Sequence, residues 1–157
     1  EQAGGGTDSW ELLSNVNLQP DVARHILSKL SVIKEDYVAI HIRNTDYQTD
    51  YQNLFSWLRP QLINKQILIC SDDANMFEQA RLTFDQSTVF SVSNTFAQIN
   101  TQNQPLHIHE KYHNDLEKKN ATIDALTDLL ALGGASDLFF SKVNPALGVT
   151  EFCLEVV

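Results

Sequence analysis

Apolar and polar positions along the chain follow two alternating periods. Val22, Ile26, Leu27, Leu30 and Ile33 recur at helical spacing after Pro20-Asp21, which predicts a helix beginning there. Tyr37-Val-Ala-Ile-His-Ile42 is almost continuously apolar and predicts a strand covered on both faces. Leu54, Phe55, Trp57 and Leu58 mark a second helix, with Pro60 placed to bend or end it. Ile67-Leu-Ile-Cys70 predicts the next buried strand. Ser71-Asp-Asp73 follows, then a helix over 74–82 with Asp72 or Asp73 as its N-cap. Thr88-Val-Phe-Ser-Val92 reads as a short third strand. Residues 93–113 are polar and aperiodic, as in a loop or a lid. The strongest helix is predicted over 120–132, with Ile123, Leu126, Leu129 and Leu130 on one face and Gly133-Gly134 ending it. Leu138-Phe-Phe140 predicts a fourth strand, and a last helix is expected after Pro145.

Strands alternating with helices define an α/β fold with a mainly parallel sheet between helical layers, a Rossmann-like three-layer sandwich. The glycine-rich opening, residues 1–12, reads as a flexible lead-in, and residues 13–157 as one domain. In such sheets ligands bind beyond the C-terminal strand ends. The polar clusters there are 43–46, 71–73 and 141–144, and the topology is expected to bring them to one edge.

Charge narrows the partners. The 157 residues carry 11 Lys+Arg against 20 Asp+Glu, a formal charge of −9. That balance argues against general binding of nucleic acid or anionic membranes, while leaving room for a local phosphate site. No apolar run approaches the ~20 residues that span a bilayer. The two cysteines, Cys70 and Cys153, both lie in apolar runs and read as buried thiols of a reducing compartment. A cytoplasmic setting of bacterial type is the favoured expectation, with the secretory pathway if the source is eukaryotic. The start at Glu1 is expected to mark a processed or partial chain.

His41-Ile-Arg43-Asn-Thr-Asp46 is the most informative hexapeptide. His41 and Arg43 are two apart at a strand end, and Arg43 offers a planar fork for phosphate or carboxylate. Asp46 is placed to hold that guanidinium or to meet a ligand hydroxyl. Arg43 with Asp46 reads either as a strand-end ion pair or as a ligand site. Asp72 and Asp73 read as helix caps, as ribose-binding groups, or as metal ligands of a phosphoester hydrolase. Neither GxGxxG nor GxxxxGK[ST] occurs, which weakens NAD-binding and P-loop readings. His107, His109 and His113 read as a solvated histidine loop sooner than as a zinc site. Asn120-Ala-Thr122 fits a glycosylation sequon but reads as a helix start. Asp124 and Asp128 lie four apart on the strong helix, with Asp128 among leucines and placed to look toward the sheet edge.

Three segments in order resemble the donor-binding half of GT-B fucosyltransferases, the superfamily of protein O-fucosyltransferases and α-1,6- and α-1,2-fucosyltransferases. They are Tyr37-Val-Ala-Ile-His-Ile-Arg-Asn-Thr-Asp46, then Gln66-Ile-Leu-Ile-Cys-Ser-Asp-Asp73, then the helix carrying Asp128 followed by Ser136-Asp-Leu-Phe-Phe-Ser141. The resemblance spans roughly residues 20–157, and its first motif is the most specific. It implies one half of a GT-B enzyme that binds GDP-fucose and passes the sugar to a glycan or protein acceptor. By that resemblance Arg43 binds the β-phosphate and supports its departure, His41 lines the nucleotide pocket, and Asp46 orients Arg43 or meets the donor. Asp72 and Asp73 sit at the nucleotide rim, and Asp128 recognises guanine, with Asp124 as the fallback. Ser141 and Asn144 stand in for the family's serine-rich phosphate turn, where Pro145 brings no N–H. No metal or other cofactor is implied. A separate N-terminal acceptor domain is. The alternative from the residues alone is a non-catalytic interaction domain that has lost donor binding.

Overall fold

The computed structural model describes residues 17–33, 35–44, 49–93, 115–144 and 149–155, with the backbone alone from Ser141 onward. Helix α1 (Pro20–Leu30) leads into β1 (Val38–Ile42), then α2 (Tyr51–Leu58), β2 (Gln66–Ser71), α3 (Ala74–Thr83) and β3 (Thr88–Phe90). Helix α4 (Asp115–Gly133), β4 (Asp137–Asn144) and β5 (Val149–Glu155) complete the order. The sheet runs β3-β2-β1-β4-β5. The first four of these strands are mutually parallel, and β5 pairs antiparallel with β4. The architecture is α/β and Rossmann-like, with helices on both faces.

Alternation along the strands sorts the core into two layers. Val38, Ile40 and Ile42 of β1 and Ile67 and Ile69 of β2 pack against Leu54, Phe55 and Leu58 of α2 and Met76 and Ala80 of α3. On the other face Tyr37, Ala39, Leu68 and Cys70 meet Ala131 of α4, with Leu30 of α1 packed alongside. Burial on both faces explains why β1 and β2 read as nearly continuous apolar runs. Tyr37 ties the second layer together by donating its hydroxyl to the carbonyl of Ala131. Tyr37→Phe removes that bond and is expected to cost about 1 kcal/mol, seen as a lower urea midpoint at unchanged slope.

Several elements differ from the sequence expectation. Helix α4 begins at Asp115, so Asn120 lies inside it and does not start it. Its buried face is Ile123, Asp124, Thr127 and Ala131, whereas Leu129 and Leu130 are exposed. Polar groups hold that face because they have partners. Asp124 is ion-paired with Lys29 of α1, and the Thr127 hydroxyl donates to the carbonyl of Ile123 at 2.7 Å. β3 stops at Phe90, two residues short of the expected end. The expected last helix is strand β5 instead. Its β-branched Val149 and Thr150 and aromatic Phe152 suit a pleated edge, and its residues pair with β4 from Leu138 to Asn144. The segment 141–144, expected as a phosphate turn, continues β4 as strand.

Candidate functional site at the C-terminal sheet edge

The strand order places a topological switch point between β1 and β4. From β1 the chain winds outward through β2 and β3, then crosses to β4 on the far side of β1. Such a crevice is where parallel α/β sheets receive ligands. In β1 every residue is buried except His41. It stands beside Cys70 of β2 on one side and Phe140 of β4 on the other. By alternation its side chain shares the α4 face of the sheet with Cys70. Solvent reaches the imidazole, yet crowding by neighbouring atoms holds its pKa below the ordinary value. Asp72 pulls that pKa up and the Arg43 charge pushes it down, so all three groups share one electrostatic neighbourhood. Arg43 follows β1 directly and is exposed at the switch point.

The end of β2 is joined to the end of β1 by side chains. The backbone N–H of Asn44 donates to Asp72 Oδ1 at 2.7 Å, and Asn44 Nδ2 donates to Asp73 Oδ2 at 2.9 Å. Asp73 is the N-cap of α3, accepting from the Asn75 backbone N–H at 2.9 Å. Its own N–H donates to Ser71 Oγ at 3.1 Å. Asp73 is thus buried with donors on both carboxylate oxygens. Asn44 was not singled out by sequence reasoning, because its partners lie 28 and 29 residues away.

The third component is Asp128 on α4. Burial raises its pKa from 3.8 to about 6, and the neighbouring Asp124 charge adds to the rise. Ser93, Cys70 and Lys29 oppose the shift. Asp128 Oδ1 and Ser93 Oγ are closed off from solvent, and neither has a well-formed hydrogen bond among the described residues. Burial pushes the Cys70 thiol far above its ordinary pKa, and the adjacent Asp128 charge reinforces this. Cys70 is therefore a buried packing thiol that neighbours Asp128.

The structure thus gathers His41, Arg43, Asp72, Asp73 and Asp128 around one sheet edge. Asp124, the alternative to Asp128, is committed to Lys29. By register the backbone of Ser141 and Asn144 continues past the paired end of β1, toward the same edge. Asp46 and the histidines at 107, 109 and 113 lie outside the described residues. Among the described residues no group of three His, Cys, Asp or Glu side chains is placed to hold a metal, and no helix is long and apolar enough to cross a membrane. A groove of about 340 Å³ lined by Val32, Ile33, Gln66, Thr88 and Phe90 lies at the opposite edge, where β2 and β3 begin. Neither a protein-family model nor a curated protein matches the chain.

Proposed function

We propose that the chain is the donor-binding domain of a fucosyltransferase-like glycosyltransferase, binding GDP-fucose at the C-terminal edge of its sheet. The observation that carries this reading is the placement of Arg43, exposed just past β1 at the switch point between β1 and β4. A diphosphate bound there meets a guanidinium fork. As the glycosidic bond breaks, negative charge grows on the departing phosphate, and a prepositioned arginine stabilises it. His41, largely neutral at pH 7, stands beside Arg43 and belongs to the nucleotide side of the site on this reading. On this reading Asp128 meets guanine at the same edge through Oδ2, since Oδ1 is closed off from solvent. Ser141 and Asn144 belong to the phosphate side of the site on this reading. The sugar acceptor is a glycan or protein, held by a second domain.

The test is calorimetry with GDP and GDP-fucose, with UDP and ADP as controls and EDTA present. Selective GDP binding supports the reading. Binding of phosphate esters only with added divalent metal favours instead a hydrolase using Asp72 and Asp73. Folded protein that binds none of these nucleotides favours an interaction domain and rejects the donor-site assignment.

A further inference from the structure

We infer that Asn44, with Asp72 and Thr49, is a positioning device that sets the direction of Arg43 by clamping one peptide unit from both ends. The inference rests on the reading of Arg43 as the diphosphate-binding residue. The carbonyl of Arg43 and the N–H of Asn44 belong to the same rigid plane. The carbonyl accepts from Thr49 Oγ1 at 3.3 Å, and the N–H donates to Asp72 Oδ1 at 2.7 Å. With both polar ends held, rotation of the plane is restrained, and so are the backbone torsions on either side of it. Those torsions aim the Cα–Cβ bond of Arg43.

The Asn44 side chain locks the clamp to the fold. Its amide donates to Asp73, which also caps α3, so the loop after β1 is fastened to the helix following β2. The anchoring frame is itself rigid, because Ile42 of β1 and Ser71 of β2 are register partners. A residue just past a strand end lacks the ladder bonds that fix strand residues, and a catalytic arginine loses effect when its geometry is loose by an ångström. Asp72 and Asp73 thereby act through the backbone of the Arg43 loop, a role distinct from touching the nucleotide.

The experiment is a double-mutant cycle on the whole chain, read as GDP and GMP affinities by calorimetry. Asn44→Ala is expected to weaken GDP binding about tenfold and leave GMP within about twofold, since only GDP carries the β-phosphate. In an Arg43→Ala background Asn44→Ala is expected to have no further effect, because a residue acting through another is silent once that other is gone. Asn44→Ala removes the side-chain lock to Asp73, whereas Thr49→Val removes the donor to the Arg43 carbonyl at one end of the clamped unit, is expected to act in the same direction, and serves alone if Asn44→Ala does not fold. Equal losses for GDP and GMP, or additive losses in the Arg43→Ala background, would show a merely structural role and overturn the inference. A parent that binds GDP, with Asn44→Ala and Thr49→Val both at unchanged affinity, overturns the clamp alone. A folded parent that binds neither nucleotide overturns the clamp together with the donor-site reading.

Discussion

Arg43→Ala is expected to weaken GDP binding by about 2–4 kcal/mol, the loss of a charged partner from a partly desolvated site. The magnitude follows from what remains after the change. The chain is acidic overall, with a formal charge of −9, so a bound diphosphate faces an unfavourable background unless a local cation offsets it. Asp72 and Asp73 at the end of β2 intensify that background. Arg43→Lys keeps the charge and loses the fork, and its affinity is expected to fall between the parent and the alanine variant. Fold stability should change little, since Arg43 is exposed and lies beyond the strand. Calorimetry at two salt concentrations checks both points. The parent's affinity should fall with salt more steeply than that of Arg43→Ala. Equal affinity of parent and alanine variant would remove Arg43 from the site.

The site was legible in the sequence where a single strand carried it. The apolar run of β1 announced a strand buried on both faces, and His41 and Arg43 stood out because they interrupt and follow that run. A cap at Asp72 or Asp73 was legible too, because capping is local chemistry within one turn, and the structure places it at Asp73. The clamp was not, since Asn44 and its carboxylate partners meet only after β1 and β2 pair in register. Helix α4 misled for a related reason. Its leucines traced a helical stripe, but the face that packs holds Asp124 and Thr127, whose polar groups find partners on α1 and on the helix itself. The last strand was hidden by Pro145, which resembles a helix start; pairing with β4 decided the outcome.

Asp128→Asn is expected to stabilise the fold at pH 7.5 while weakening recognition of the base. In the folded protein the Asp128 carboxyl titrates at about 6 against an ordinary 3.8, so the folded chain holds this proton more tightly than the unfolded chain. Folding is then favoured most below about pH 4, and that advantage is lost as pH rises through 6. At pH 7.5 the parent carries a half-buried carboxylate whose inner oxygen lacks a well-formed partner among the described residues and whose neighbour Asp124 is also anionic. Removing that charge is expected to gain about 1–3 kcal/mol. His41 changes stability in the opposite sense over a neighbouring range, since its depressed pKa favours the folded state as pH rises through the ordinary value of 6.5. The informative quantity is therefore the difference between variant and parent, measured by denaturant unfolding at pH 4.5 and 7.5. The gain should be full at the higher pH and fall to about a third of that at the lower one. An equal difference at both would mean that Asp128 is not the titrating group. Competition calorimetry supplies the other half: the preference for GDP over ADP should fall about tenfold or more, with phosphate affinity largely kept. A variant that is both more stable and equally selective would deny Asp128 the proposed role in binding the base.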